Sequence, residues 1–435
     1  MSGFWYYLIH LLGLVAGVLA VRALARAGKR AASTIVAVAV SVLTSTFLLT
    51  ITDIHAVFED FLEAYYPAGA AVRHGGGALA ATMELGVFGF VNIPIVAWLF
   101  APFSVLAPEP AAWAFTILGA AATLAAWWLL ARLAGLRGTD SALLIFLFAA
   151  SGPLSYSIKE ANTSHIVLLM IVGAFALLRS GRDMRAGLLL GAAAVVKLPL
   201  LLFVVYFALR ARWRALVGSV GAITAVGLLS LAMFGTELHT HWYQQCIEPV
   251  AKNPIAAFNV QSIPAALARL ERGRASLRDW KPCVLNGRDR VLALAATAAL
   301  YLAALAAAVW RRRPGAATLR MLPHETQLEI EFLLVLVLSL VAGTLSWSHY
   351  YVLLLMPIAF LLGRTAHFCY DAATRRVGWI AIVLALSPVI CPQTSSWKLS
   401  QLYARVGVSP HLAGGLILLV LLVWARWTAR TQNLR

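Results

Sequence analysis

Phe4 to Val21, FWYYLIHLLGLVAGVLAV, is an apolar run of 18 residues without a charged side chain, long enough as a helix to cross the hydrocarbon core of a bilayer. No basic residue precedes it, and Arg22, Arg26, Lys29 and Arg30 follow it. That order is the reverse of a secretory signal peptide, so the run reads as a retained span. Composition extends the reading to the rest of the chain. Of 435 residues, 61% are hydrophobic and 12% charged, more apolar surface than a soluble core of this size can hide. The expectation is an all-α polytopic transmembrane bundle, one integral membrane domain over 1–435 with no separate soluble domain.

Lys and Arg outnumber Asp and Glu by 35 to 18, a net charge of +17. In a membrane chain this excess reports topology and contact with anionic lipid rather than nucleic acid. Basic clusters recur at 22–30, 132–137, 179–185, 210–214, 311–320, 364–376 and 426–435, and the positive-inside bias places them in the cytoplasm. Eleven to thirteen spans then fit between them, with the N-terminus outside, the C-terminus inside, and 88–107, interrupted by Pro94 and Pro102, as a re-entrant segment. The expected outer segments are 52–111, whose first part (52–87) carries the acids, 157–165, the large loop 236–290, 346–351 and 392–410.

The first outer loop is the most informative. Asp53 to Gly77 reads DIHAVFEDFLEAYYPAGAAVRHGGG, carboxylates and aromatics beside a membrane span. On a helix, Asp53 and Asp60 share a face with Ala56, Val57, Ala64 and Pro67, whereas Glu59 and Glu63 fall on a neighbouring face. Asp60 is thereby placed against small apolar residues, where partial desolvation raises a carboxyl pKa and makes it a better general base toward a hydroxyl. A helix cap or a solvated acid is the plainer reading, and Glu63 stands as the reserve acid. Lys197 ends the apolar run Ala186–Val196 just before the helix-breaking Pro199. At that depth it either snorkels to the interface or holds an anion such as a lipid phosphate. Cys246 and Cys283 both fall in the 236–290 loop, which makes a disulfide between them an expectation outside the cytoplasm, with two free thiols as the alternative. No Cys-x-x-Cys, His-Glu-x-x-His or Walker-type loop occurs, so no metal, nucleotide or other cofactor is expected.

Several stretches resemble glycosyltransferase family 87, of the GT-C superfamily. Asp60-Phe61 followed by Tyr65 to Val72 and Gly75 to Gly77 is similar to that family's first outer loop, and Asn92 to Leu106 to its Pro-containing segment. Gly187 to Ala215 resembles its Gly-rich helix, Lys-x-Pro turn and basic end. Asn259-x-Gln261-Ser262, ahead of Leu267 to Leu270, and Ser346-Trp347-Ser348-His349-Tyr350 complete the order. The resemblance implies a membrane enzyme that moves a mannosyl or arabinofuranosyl group from a polyprenyl-phosphate donor to a lipid or glycan acceptor, with inversion. It implies Asp60 as general base and His349 as a group that orients Asp60 or binds donor phosphate, the plainer reading being an interfacial His beside Trp347. Lys197, Asn259, Gln261, Ser262, His165 and Tyr350 become candidates for the donor phosphate and sugar. The implied location is the bacterial inner (plasma) membrane, with the site on the extracytoplasmic face.

Two departures stand out. Asp60 lies one residue farther from the Tyr-containing run than the family's acid, and Asn162-Thr163-Ser164-His165 replaces a Gly-Gln-x-Asn turn. Two other functions would use similar residues: a transporter or flippase of lipid-linked sugars, and a surface-glycan polymerase or ligase. Transporters tend to place such groups near the midplane of repeated halves, and no repeat relates the two halves of this sequence.

Overall fold

The structure is a computed structural model and describes residues 3–51, 57–309, 324–364, 371–391 and 397–428. Asp53 and His55 lie outside these residues. The described chain is helical, and its extended pairing is limited to two isolated bridges, Ile255 with Pro282 and Val260 with Trp347. Helix is what hydrocarbon imposes, because without water each backbone N–H and C=O must find its partner within its own segment.

Six described helices are long and apolar enough to cross a bilayer: Trp5–Arg26, Arg30–Ile51, Pro108–Leu133, Trp213–Lys252, Gly287–Ala307 and Ser400–Trp427. The pair Thr139–Ala149 and Gly152–Lys159, bent by 55°, makes a seventh if counted as one span. The chain is therefore an all-α, multi-pass membrane protein. The other expected spans take shorter or broken forms. Ser164–Arg179, Leu198–Leu209 and Ser348–Gly363 are apolar helices of fewer than 18 residues, too short at 1.5 Å per residue to cross the core unaided. The 88–107 stretch is not a span: it folds into the 3-10 turns Pro94–Leu99 and Phe103–Val105, since Pro94 and Pro102 withhold the donors a continuous helix needs.

Lipid tails are as apolar as leucine, so helices in a bilayer associate through close packing rather than through hydrophobic burial. The tightest such crossing joins Asp183–Val196 to Trp213–Trp242. A methyl group on Gly187 would collide with the carbonyl of Ala215, one on Gly191 with that of Ser219, and one on Gly218 with that of Met184. The small-xxx-small spacing of Gly187 and Gly191 therefore fixes the direction of the helix that ends at Lys197. Nearby, Phe175, Phe203, Phe332 and Phe360 pack ring to ring, with centroids 4.6 to 5.5 Å apart.

At the basic end of the bundle two buried carboxylates collect arginines from four parts of the chain. Glu329, 1% exposed in its side chain, pairs with Arg179 and Arg364, each at 3.4 Å. Glu331 pairs with Arg210 at 2.9 Å and Arg426 at 3.1 Å. Both glutamates lie on the helix His324–Val341. Carboxylates inside an apolar helix are tolerated when paired in this way, and here they tie together four of the basic clusters noted in the sequence.

Candidate active site

Asp60 opens a single π-helical turn, Asp60–Tyr65. Two residues earlier Phe58 has φ +65°, a backbone region that crowds any side chain with a Cβ. It is held there because its N–H donates to the Lys159 carbonyl at 2.7 Å, and the Phe61 N–H donates to that of Glu160 at 3.3 Å. Phe61 stacks on Phe115 with centroids 5.1 Å apart, and Tyr65 stacks on Phe100 at 4.4 Å. These aromatic contacts anchor the turn and leave Asp60 facing the bend between the helices Gly152–Lys159 and Ser164–Arg179. In that bend Ala161 has φ +49°. Left-handed residues of this kind persist only where the surroundings hold them, and they concentrate at functional sites.

Asn162, next to Ala161, joins the acid to the cation. Its Nδ2 donates to Asp60 Oδ2 at 2.5 Å and to the Tyr65 hydroxyl at 3.2 Å. Its Oδ1 accepts from Lys197 Nζ at 3.2 Å and from the Ser164 N–H and hydroxyl at 3.0 and 2.8 Å. An ammonium only donates and a carboxylate only accepts, so this amide has one orientation. Lys197 also lies 4.2 Å from the centroid of the Tyr350 ring, an attractive cation–π distance. His349 lies between aromatic neighbours, 6.2 Å from Tyr156 and 6.3 Å from Trp347 between centroids.

These groups face one cavity of about 340 Å³. Its lining includes Asp60, Asn162, Lys197, His349 and Tyr350, together with Glu63, Glu160, Asn259, Trp280 and Trp347. Burial pushes the Asp60 carboxyl above its ordinary range, the Asn162 hydrogen bond and the ammonium groups of Lys197 and Lys159 pull it back, and Glu63 pushes it further up. Burial and the neighbouring Asp60 charge push Glu160 up to about 8, against the opposing pull of Lys159. The result is a carboxylate with raised proton affinity beside the Lys197 amine, whose proton affinity burial lowers and the Asp60 charge partly restores, in a cavity lined by aromatic faces. It can take a proton from a hydroxyl while positive charge faces a departing anion.

The structure brings together Asp60, Glu63, Lys197, Asn259, His349 and Tyr350 among the residues singled out from sequence. Three others are placed elsewhere. Gln261, expected to meet sugar, is 1% exposed; its Nε2 donates to the carbonyls of Phe258 and Val408, and its Oε1 accepts from the Leu412 N–H. Ser262 caps the helix Ile263–Arg272 by accepting from the Ala265 N–H. His165 turns to Ser157, with Nδ1 at 2.9 Å from the hydroxyl, and its other nitrogen lies against Gly119, away from the cavity. Even Asn259, which does line the cavity, has its side chain engaged by Trp280 and the Tyr156 hydroxyl.

Cys246 and Cys283 are free thiols, which corrects the expected disulfide. They are buried in separate clusters, Cys246 against Phe90 and Met83 and Cys283 beside Ala256 and Ala268. Arg269, within the expected outer loop 236–290, is wholly buried. Its guanidinium donates to the carbonyls of Ala256, Ala257 and Val260 and to the Ser409 hydroxyl, at 2.8 to 3.3 Å. Among the described residues no group of three His, Cys, Asp or Glu side chains is arranged to hold a metal ion.

Sequence reasoning missed Asn162 and Glu160. The available signals were Asn162 in the altered turn and the adjacent charges Lys159 and Glu160 between two apolar helices.

The profile of Glycosyltransferase family 87 matches residues 90–325, more than half of the chain. The chain belongs to glycosyltransferase family 87. No curated protein matches it. The family 87 protein is thus a membrane glycosyltransferase, with a sugar donor, an acceptor and membrane lipids as its partners. The matched region includes Glu160, Asn162, Lys197 and Asn259; Asp60 lies before it and His349 after it. Both line the same cavity as the four matched residues.

Proposed function

We propose that the family 87 protein transfers a glycosyl group, of the mannose or arabinofuranose class, from a polyprenyl-phosphate donor to a hydroxyl of a lipid or glycan acceptor. The observation that carries this reading is the bridge from Asp60 through Asn162 to Lys197 within one cavity. Such a transfer needs a base on the side of the attacking hydroxyl and positive charge where the phosphate departs. Asp60 takes the acceptor proton as the acceptor oxygen bonds to the anomeric carbon. The bond from that carbon to the phosphate oxygen breaks on the opposite face, so configuration inverts. Lys197 stabilises the leaving phosphate, and His349 and Tyr350 border its path. The distribution of Lys and Arg supports an extracytoplasmic site, and the bacterial plasma membrane is the location that the family resemblance implies.

The test is transfer from a radiolabelled polyprenyl-phosphate sugar in membranes holding equal amounts of each variant. Asp60→Asn is expected to lower the rate on the order of 10² to 10⁴, with Glu63→Gln much milder. Full rates for Asp60→Asn together with loss in Glu63→Gln would move the base to Glu63. Full rates for both would favour a transporter.

A further inference from the structure

The helix Asp183–Val196 joins two cavities. Val196 and Lys197 line the candidate active site, and Asp183 lines a second cavity of about 730 Å³. Fourteen helical residues separate them, or about 20 Å at 1.5 Å per residue. Arg179, Arg210, Arg212 and Arg214 line the second cavity against two acids, Asp183 and Glu331. Arg210 and Arg212 pair with Glu331 and Asp183 at 2.9 and 3.4 Å. Glu331 is already shared, with Arg426 at 3.1 Å and with donors from Tyr206 and Gln327, so its one negative charge is spread over several partners. Arg179 pairs with Glu329, an acid outside the lining that it shares with Arg364, and the lining itself carries four arginines against two acids. The side chains of Arg179, Arg210 and Arg212 are 22%, 20% and 16% exposed, partly withdrawn from water, where surplus positive charge attracts an anion strongly.

The backbone is shaped to present this wall. Ala211 adopts φ +51°, and all five residues from Arg210 to Arg214 face the cavity. Around the rim the surface turns apolar. Trp213 is 63% exposed beside Leu209, Val217 and Met184, each more than 40% exposed. Exposed Trp next to lipid-facing aliphatics is the pattern of a membrane interface. A freely soluble anion has no use for such a rim, whereas a lipid places its phosphate and its chains on the two surfaces at once.

We propose that this cavity binds the phosphate of an anionic lipid headgroup, with the acyl chains lying along Leu209 and Val217. The distribution of basic residues assigns it to the cytoplasmic leaflet, at the opposite end of the Asp183–Val196 helix from the transfer site. The proposal is independent of the sugar and acceptor used there.

The test is native mass spectrometry of the purified full chain with added phosphatidylglycerol or phosphatidylcholine at equal concentration. Phosphatidylglycerol is expected to be retained about tenfold more strongly, and Arg212→Gln with Arg214→Gln to remove that preference while leaving phosphatidylcholine unchanged. Arg214→Gln alone, at an exposed position, keeps the test valid if the double variant folds poorly, and is expected to weaken retention several-fold. Equal retention of the two lipids, or an undiminished preference in the variants, would overturn the proposal. Displacement of phosphatidylglycerol by millimolar inorganic phosphate would overturn the lipid assignment in favour of a free-phosphate site.

Discussion

The side-chain amide of Asn162 donates to the Asp60 carboxylate at 2.5 Å across 102 residues of sequence. The same amide accepts from Lys197, so the acid and the cation are held apart by one rigid group instead of collapsing into a direct ion pair. A direct pair would stabilise the Asp60 carboxylate and weaken it as a base. The amide spacer keeps both charges available to substrate.

Asn162→Ala is expected to lower the transfer rate by about one to two orders of magnitude, through lost orientation of both groups. Asn162→Asp should be worse, since a second carboxylate at this distance forces one of the pair to hold a proton. Initial rates at saturating donor, with protein amount normalised, would check both. Wild-type rates in Asn162→Ala would remove the positioning role.

Lys197→Met should raise the donor KM by about tenfold or more, with a smaller effect on the acceptor KM, because a charge-assisted contact to phosphate contributes about 1.5 to 3 kcal/mol. Lys197→Arg should rescue only in part. The ammonium is a compact charge seated over Tyr350 at 4.2 Å, and the planar guanidinium has a different shape. Donor and acceptor titrations of the three proteins separate the two constants.

Glu160 gives a pH signature. Its folded pKa, pushed up to about 8, exceeds the value of an unfolded glutamate near 4.3. The folded state therefore holds the proton more tightly, and the stability this contributes is present in full below the unfolded value and is lost as pH rises through the folded one. Thermal unfolding in detergent should show stability falling between about pH 4.5 and pH 8, with a shallower fall in Glu160→Gln. Identical pH slopes for the two proteins would contradict a protonated Glu160.

Arg269→Ala should destabilise the protein by roughly 3 kcal/mol or more, because the carbonyls of Ala256, Ala257 and Val260 would lose a buried donor. These residues precede a clamp on the segment that carries His349. The Gln261 N–H donates to the Ser346 carbonyl at 2.6 Å and the Ser348 N–H to that of Asn259 at 2.7 Å. Activity should therefore be lost along with stability. Arg269→Lys should fail to restore it, since one ammonium cannot span three carbonyls and the Ser409 hydroxyl. A melting temperature near wild type in Arg269→Ala would show that the loop holds without the guanidinium.

The sequence by itself determined the membrane class and the helical fold, and it singled out Asp60 and Lys197, which line one cavity. Apolar runs such as Phe4 to Val21 need no partner to declare themselves, because the bilayer acts on each segment separately. Asp60 and Lys197 were legible for a related reason: a charge beside or within an apolar run is costly enough to require a purpose. Only the tertiary structure decided which polar residues meet. Gln261, Ser262 and His165 looked like ligands by residue type, yet packing directs each of them to backbone or to a neighbouring side chain. Arg269 lies in the expected outer loop 236–290 and is its buried staple. Asn162 and Glu160 carried little local signal, since an amide or a carboxylate in a bend is ordinary until Asp60 arrives from a hundred residues away. Hydrogen bonds are short-ranged and directional, so which polar groups make them is settled by the folded geometry and is not written in residue type or spacing.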